Sequence, residues 1–327
     1  MQTNILEKVS INNSGQWLLV RGKNSNNPLI LQIQAGPGLP MISEANMMEK
    51  MLGLEEDFLV AYWDQRGCGK SFDKKENLSS MNLDQLSEDL ISCVKYLLKK
   101  YKKDNIILIG YSLGATISLL AAQKTPYLFS NIFLTGVDID IPTANNFAME
   151  FILDKAGEEK NKRWMKEGLQ LKGVEINNAK LFQKRAKLFS NMGGIISGKS
   201  YNSIFFLTLK NMLFSREYQL KDILRTVQGM EFCQNALLPE INRMNLFEKV
   251  KMIEVPLHFI QGGKDPVAPI FVTRKYFDFL NCKSKSFTEF KEGGHLPHME
   301  DPKRFAELIR TRINASACIV SGQVEKS

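Results

Sequence analysis

The stretch IILIGYSLGATISLLAAQK, residues 106–124, decides the fold prediction. Its first four residues form a short apolar run typical of a buried strand, and residues 115–123 have the composition of a helix. The glycines of the intervening GYSLG turn let a strand bend abruptly into a helix, which holds Ser112 in a strained backbone conformation with an exposed hydroxyl. The first amides of the helix would stabilise negative charge beside that hydroxyl. The pattern therefore predicts a nucleophilic serine.

Short apolar runs alternate with longer amphipathic segments on both sides of this stretch. Such alternation is typical of an α/β fold with a mostly parallel central sheet flanked by crossover helices. One helix is predicted at Leu83–Tyr101, where leucines recur at helical spacing after Asn82, a suitable N-cap. The candidate strands are Gln16–Val20, Leu29–Ile33, Phe58–Trp63, Ile106–Ile109, Ile132–Leu134, Leu257–Ile260 and Ser286–Phe290.

The alternation stops in the middle of the chain, where the sequence is rich in Lys, Met, Phe and Asn and has helical periodicity. We therefore predict an inserted helical cap at residues 139–250, between a first core segment at 1–138 and a second at 251–327. The last residues, from about Ala315, lose periodicity, and a frayed tail is predicted there.

The composition argues against several classes of protein. The chain of 327 residues is 44% hydrophobic and 24% charged, and no apolar stretch approaches the roughly 20 residues of a membrane helix. The formal charge of +8 comes from lysines interleaved with acids, which argues against a nucleic-acid partner. Five scattered cysteines show no spacing typical of a metal or redox site, and no cofactor is implied.

The N-terminus is polar and lacks the apolar core of a secretory signal. We therefore expect a cytoplasmic protein that acts on a small molecule and has no membrane partner. The oligomeric state stays open.

A serine hydroxyl becomes a good nucleophile only beside a base, and that base needs a carboxylate to hold its tautomer. His295 follows the last candidate strand, and Asp265 follows the strand before it after two glycines. Both positions lie beyond the carboxyl ends of strands, where open α/β sheets place their sites. The sequence therefore predicts a catalytic triad of Ser112, Asp265 and His295.

Other residues could take the triad roles. Asp138 and Asp140 also follow a candidate strand, but the Gly-rich turn before Asp265 and its distance from the histidine fit better. His298 lies three residues beyond His295 and is predicted to be a surface or supporting group. His258 falls inside a strand and is predicted to be packed in the core.

An oxyanion hole needs two backbone N–H groups that point at one place. The residue after the nucleophile, Leu113, supplies the first. The second is predicted from the QAGPG turn at residues 34–38, with the Gly36 amide as the donor because glycine permits a close backbone approach. Gln34 and Tyr111, which flank these positions, are predicted to contact substrate.

At these residues the chain resembles the proline iminopeptidase group of α/β-hydrolases. The hallmark D-Q-R-G-x-G-x-S is intact at residues 64–71, and with the elbow, the acid turn and the histidine loop the resemblance spans residues 16–305. It implies an α/β-hydrolase fold, with Asp64 and Arg66 bracing loops beside the site.

Two departures from the group's pattern bear on specificity. The turn at residues 34–38 replaces the leading His and first Gly of H-G-G-P-G, and the elbow has Tyr111 and Leu113 where iminopeptidases usually have Gly and Trp. Iminopeptidases also hold the substrate's amine with cap carboxylates. Candidates for that role are Glu150, Glu217, Glu231 and Glu240.

Two activities and one binding role are predicted. The first is hydrolysis of an ester or lactone through an acyl-serine intermediate; esterases that resemble iminopeptidases open macrolide lactones, and a cap rich in Met and Phe would suit so large a ring. The alternative is release of N-terminal residues such as proline from peptides, and the third is a non-catalytic binding protein. Unless they form the cap's own core, the predicted pocket residues are Phe147, Phe151, Met192, Phe205, Phe206 and Met212.

Overall fold

The structure is a computed structural model that describes residues 2–324. Seven of its strands contain or overlap the candidate strands predicted from the sequence. The strands are β1 (Thr3–Ile11), β2 (Ser14–Gly22), β3 (Leu29–Ile33), β4 (Leu59–Asp64), β5 (Ile106–Tyr111), β6 (Phe129–Thr135), β7 (Met252–Ile253), β8 (Leu257–Gly262), β9 (Asn281–Cys282) and β10 (Lys285–Phe290).

Helices connect the strands, and α4–α9 follow one another without a strand between them. The helices are α1 (Ala45–Leu52), α2 (Leu83–Tyr101), α3 (Leu113–Lys124), α4 (Ile141–Glu158), α5 (Lys162–Leu169), α6 (Ala179–Asn191), α7 (Tyr201–Phe214), α8 (Leu220–Ile241), α9 (Leu246–Lys249), α10 (Ile270–Phe279), α11 (Pro297–Glu300) and α12 (Pro302–Val324).

Eight strands form one sheet in the order β1-β2-β4-β3-β5-β6-β8-β10, and β7 pairs with β9 apart from it. The pairs β1–β2 and β2–β4 are antiparallel, whereas β4-β3-β5-β6-β8-β10 are all parallel. The carboxyl ends of the parallel strands therefore meet at one edge of the sheet, where the loops after β5, β6, β8 and β10 come together.

The parallel strands inside the sheet are almost entirely buried on both faces, as a sheet covered by helices requires, whereas the edge strand β10 is mostly half-buried. In β5, Leu108 faces a core shared with α2 and α3, whereas Ile109 faces a second core shared with α1 and α12. Because both faces of these strands are apolar, their sequences are continuous apolar runs. The predicted mostly parallel sheet flanked by helices is confirmed.

Strand β1 was not predicted from the sequence. It pairs with β2 at the edge of the sheet, and its side chains alternate irregularly between buried and exposed. Asn12 and Asn13 make the connecting turn with φ of 45° and 64°. Asparagine tolerates this left-handed conformation, which tight hairpin turns require.

Helices α4–α8 lie consecutively within residues 139–250, and α4–α6 share a hydrophobic core that is separate from those of the sheet. The chain enters and leaves this stretch at one place, since Ile141 N donates to Met244 O at 3.1 Å and Leu246 N donates to Ile139 O at 2.8 Å. We call helices α4–α8 and the loops between them the cap.

Helix α12 continues to Val324, past Ala315, where fraying was predicted; residues 325–327 lie outside the described residues. None of the helices within residues 2–324 is long and apolar enough to cross a lipid bilayer.

Candidate active site

Ser112 lies in the sharp turn between β5 and α3. Its φ of 53° and ψ of −120° are outside the usual regions for a residue with a side chain. The turn is held because Ser112 N donates to Thr135 O at 2.8 Å and Thr116 N donates back to Ser112 O at 3.2 Å. Strain of this kind at one serine is typical of a nucleophile elbow.

The two glycines of the turn are required by close backbone contacts. A Cβ on Gly110 would lie 2.6 Å from Ala115 Cα, and a Cβ on Gly114 would lie 2.5 Å from the carbonyl oxygens of both Ile33 and Gln34. Real Cβ atoms do not approach so closely. The helix after the nucleophile can therefore lie against the end of β3 only when both residues are glycine.

We expect Gly114→Ala to lower the free energy of unfolding by about 1–3 kcal/mol, because the new methyl group must displace backbone atoms. Gly157→Ala in α4 is a matched control: its Cβ would meet no atom nearer than Met165 Cε at 3.9 Å. Thermal unfolding of the two variants tests this. Equal melting temperatures would contradict the contact argument.

Asp265 and His295 meet in loops that follow the neighbouring parallel strands β8 and β10. His295 Nδ1 lies 2.8 Å from Asp265 Oδ2, and both side chains are buried. The other carboxylate oxygen, Oδ1, accepts from Val267 N at 2.8 Å and Ala268 N at 2.9 Å, while Gln261 Nε2 donates to Oδ2 at 2.9 Å. The carboxylate is thereby held in one orientation and fixes that of the imidazole.

The loop after β6 brings a second carboxylate to the serine. Ser112 Oγ donates to Asp138 Oδ2 at 3.4 Å, and no hydrogen bond joins Ser112 Oγ to His295 within residues 2–324. The His295 ring lies against the same loop, since a Cβ on Gly136, two residues before Asp138, would lie 3.0 Å from it. In this structure the serine hydroxyl therefore donates to the Asp138 carboxylate, and the imidazole lies beside the loop that carries Asp138. Asp138 was considered from the sequence only as a substitute for Asp265.

The charges in this cluster are coupled. Burial raises the pKa of Asp138 to about 6, and the neighbouring Asp265 adds to the rise, whereas His295 and the Arg185 guanidinium oppose it. Burial likewise lowers the pKa of Arg185, on α6, to about 10. Burial alone would lower the pKa of His295, but Asp265 and then Asp138 raise it above its ordinary value of 6.5.

We expect kcat/KM for an ester to rise with pH through a midpoint above 6.5, because His295 acts as a base only when neutral. In Asp138→Asn the midpoint should move to lower pH, since removing a negative charge beside the ring favours the neutral form. A pH–rate profile from about pH 5 to 9 tests both statements. A flat profile would contradict a histidine base.

The predicted oxyanion donors lie on adjoining loops. A Cβ on Gly36 would lie 3.2 Å from Leu113 Cδ2. Leu113 is the first residue of α3, so its N–H has no acceptor within the helix, and no backbone acceptor takes the Gly36 N–H in the described residues. Both N–H groups are available to a substrate oxygen.

Side chains of the motif at residues 64–71 hold the loops around this site together. Asp64 accepts from Ile42 N and Lys70 N, both at 2.9 Å, and so ties the loop after β3 to the loop after β4. Arg66 makes a bidentate pair with Asp89 of α2, with N–O distances of 2.7 and 3.0 Å. Neither side chain contacts Ser112, and their roles are structural.

Helix α8 and the Gly194 loop of the cap both contact loops of the site. A Cβ on Gly38 would lie 2.6 Å from Met230 Cα, so α8 lies directly against the loop at residues 34–38, which carries the predicted oxyanion donor. His295 N donates to Gly194 O of the cap at 3.0 Å. Ser112 itself is 5% exposed, so the exposed hydroxyl predicted from the sequence is not observed in this structure.

Gln34 and Tyr111, predicted to contact substrate, are both buried. Tyr111 donates to Gln32 Oε1 at 3.1 Å, and its ring lies 4.3 Å from that of His298. Burial lowers the pKa of His298 to about 3, so this histidine is neutral and packed. His258 is also buried, as predicted, with its Nε2 3.0 Å from Asn131 Oδ1.

Three of the predicted pocket residues pack in hydrophobic cores. Phe151 and Met192 belong to the cap's own core, and Met212 packs in the core beneath the sheet. For Phe151 and Met192 this is the alternative that the sequence analysis left open, whereas Met212 packs in a core of the sheet and not of the cap.

The other three predicted pocket residues lie nearer the surface. Phe147 is half-buried, with its ring edge-on to Phe271 at 5.3 Å. Phe205 and Phe206 have 51% and 64% of their surface exposed to solvent. Phe205 and Phe206 are therefore open to solvent in this structure.

The four cap glutamates that were candidates for binding the substrate's amine are either exposed or paired with other groups. Glu150 and Glu231 are exposed. Glu217 pairs with Arg21 at 2.5 Å, and Glu240 accepts from Leu83 N at 2.9 Å at the start of α2. Within the described residues no three His, Cys, Asp or Glu side chains gather in a way that could hold a metal ion.

Comparison with known proteins agrees with this geometry. The family model of the alpha/beta hydrolase fold matches residues 28–302. A probable aminopeptidase of Bacillus subtilis, YbaC, is 27% identical over 307 residues, which cover 93% of this chain and 95% of the relative.

Two solved structures share the fold. The proline iminopeptidase-related protein from Thermus thermophilus superposes with a TM-score of 0.64 at 16% identity, covering 96% of this chain and 98% of that one. An esterase from Exiguobacterium antarcticum gives 0.59 at 16% identity, covering 95% and 100%. With the family match extending across most of the chain, this protein belongs to the α/β-hydrolase family and is a hydrolase.

Proposed function

We propose that the chain hydrolyses esters or amides whose acyl group carries a free amino group, through an acyl-serine intermediate. The observation that carries the proposal is Asp138, a buried carboxylate 3.4 Å from Ser112 Oγ that the triad itself does not need. In an α-aminoacyl substrate the nitrogen is two bonds from the carbonyl carbon that the serine attacks. A carboxylate that touches the serine can therefore reach the ammonium group.

The reaction would proceed in two stages. Ser112 Oγ attacks the acyl carbon and passes its proton to His295 Nε2, while the Leu113 and Gly36 amides donate to the developing oxyanion. His295 then protonates the leaving group, and the acyl-serine forms. In the second stage His295 takes a proton from water, the resulting hydroxide attacks the acyl carbon, and Ser112 recovers its proton.

Substrate binding would exchange the partners of Asp138. Before binding, its carboxylate accepts from the serine hydroxyl; with substrate present, the hydroxyl turns to His295 and the ammonium takes its place. With its pKa raised to about 6, Asp138 is ionised at neutral pH, as this exchange requires. The likeness to a probable aminopeptidase over 93% of the chain supports the same substrate class.

The test compares alanine or proline p-nitroanilide with its N-acetyl counterpart, on the pH plateau of each enzyme form. We expect the native chain to prefer the free amine and Asp138→Asn to lose about ten- to a hundredfold in kcat/KM on it, the value of a hydrogen bond to a charged group. Activity on the N-acetyl substrate should change little. Asp140→Asn is the matched control, because Asp140 caps α4 and its replacement keeps that bond.

Hydrolysis of an ester or lactone without an amine is the second candidate. It is favoured by the likeness to the fold of a solved esterase. Equal rates on the amine and N-acetyl substrates, or faster turnover of p-nitrophenyl esters or macrolides than of the anilides, would support it and contradict our proposal.

A further inference from the structure

Helices α7 and α8 of the cap leave large apolar side chains in water. Seven of the fifteen exposed large apolar residues of the described chain lie within residues 205–227. On α7 they are Phe205, Phe206, Leu213 and Phe214. We call these residues, together with the apolar stripe of α8 described next, the α7–α8 surface.

The apolar stripe on α8 faces directly away from the core. Leu220, Leu224 and Val227 recur at helical spacing and are 74%, 68% and 61% exposed. The opposite side of the helix, which includes Asp222 and Thr226, is buried. Since an amphipathic helix normally turns its polar residues outward, this helix has apolar residues where water is expected.

The exposed charges on this stretch of the chain have one sign. Within residues 197–228 every exposed ionisable side chain is basic. The two acids in that range are not exposed: Glu217 pairs with Arg21 at 2.5 Å, and Asp222 pairs with Lys70 at 2.8 Å and with Arg225 at 3.4 Å. Glu231, one turn further along α8, is exposed and ends the stripe. The basic residues are Lys199, Lys210, Arg216, Lys221 and Arg225.

We infer that the α7–α8 surface docks on an anionic lipid bilayer. Apolar side chains flanked by cations match the interface of such a membrane, where the acyl region takes the former and the headgroups attract the latter. A second copy of the chain fits less well, because a two-fold contact would bring the same cations against one another. The sequence analysis expected no membrane partner because it considered only segments able to span a bilayer.

Sedimentation with vesicles tests the inference. We expect the full chain to bind vesicles of phosphatidylglycerol and phosphatidylcholine at low salt, to bind pure phosphatidylcholine weakly, and to dissociate as salt screens the charges. Lys221→Glu with Arg225→Glu should weaken binding at least about twenty-five-fold, or about fivefold for each cation removed. Leu220→Ser with Leu224→Ser should weaken it about tenfold.

Matched controls separate the surface from general effects of charge and apolarity. Lys172→Glu with Lys180→Glu makes the same charge change at exposed cap positions outside the surface, and Leu169→Ser with Val174→Ser removes exposed apolar groups there. Both should bind vesicles like the native chain, and circular dichroism should show all four variants folded.

Three results would overturn the inference. The first is no sedimentation with anionic vesicles, and the second is equal weakening by the surface and control variants. The third is a native dimer in light scattering that Leu220→Ser with Leu224→Ser dissociates, which would make a second copy the occupant. The test does not depend on the substrate, so its failure leaves the proposed function unaffected.

Discussion

Ser112→Ala is expected to lower kcat by about a millionfold, because loss of the nucleophile leaves only binding and the oxyanion donors to act on the substrate. In the proposed mechanism the Ser112 hydroxyl is the attacking group, and alanine can occupy the same backbone without supplying a hydroxyl. Hydrolysis of a p-nitrophenyl ester measures the loss. Labelling by a fluorophosphonate probe, which reacts with activated serines, should disappear in the same variant.

The control for this prediction is Ser118→Ala, which removes a buried hydroxyl in the same helix that donates only to Gly114 O at 2.7 Å. It should keep both activity and labelling. His295→Ala should cost about as much as Ser112→Ala, and the double variant no more than either, because the groups act as a unit. A double variant that lost the product of the two single effects would contradict a shared proton relay.

Asp265→Asn is expected to lower kcat by about ten-thousandfold while leaving the fold intact. Both carboxylate oxygens accept two hydrogen bonds: Oδ1 from Val267 and Ala268 N–H, and Oδ2 from Gln261 and His295. An asparagine NH₂ must replace one of these oxygens. If the NH₂ group pointed toward the backbone it would face two N–H donors, so we expect it to point toward the imidazole. His295 Nδ1 must then accept a hydrogen bond, which puts the ring proton on Nε2, where the ring can no longer act as a base toward Ser112.

The pH–rate profile and a melting curve of this variant separate the catalytic loss from unfolding. Asp138→Asn is the informative comparison, since Asp138 was an alternative to Asp265 in the sequence analysis and its carboxylate accepts from Ser112 Oγ. If Asp138→Asn lost ten-thousandfold on simple esters and Asp265→Asn did not, the triad assignment would have to be exchanged.

Much of the core could be predicted because its signals are local. The strand, glycine turn and helix around Ser112 lie within nineteen consecutive residues, and the apolar runs of β3, β5 and β8 are long enough to identify. Strand β1 was missed since an edge strand needs only partial burial, and its residues alternate irregularly. The Asn12–Asn13 turn was the signal that could have revealed it.

Other features depend on contacts between distant segments and have no local signal. Asp138 and Ser112 are 26 residues apart, and only the pairing of β5 with β6 shows that their side chains meet. The sequence also did not show which of the α7 phenylalanine side chains face solvent. A helix apolar on all sides does not reveal which side lies against the core, and Phe206 was therefore assigned to a pocket although it faces solvent.

The hydrogen bond from His295 N to Gly194 O has a consequence for how substrate enters. The carbonyl that accepts from the histidine's main chain belongs to the cap, so lifting the cap on that side would break this hydrogen bond and remove one of the contacts that hold the His295 loop. A route of entry that leaves the Gly194 loop in place would keep the bond.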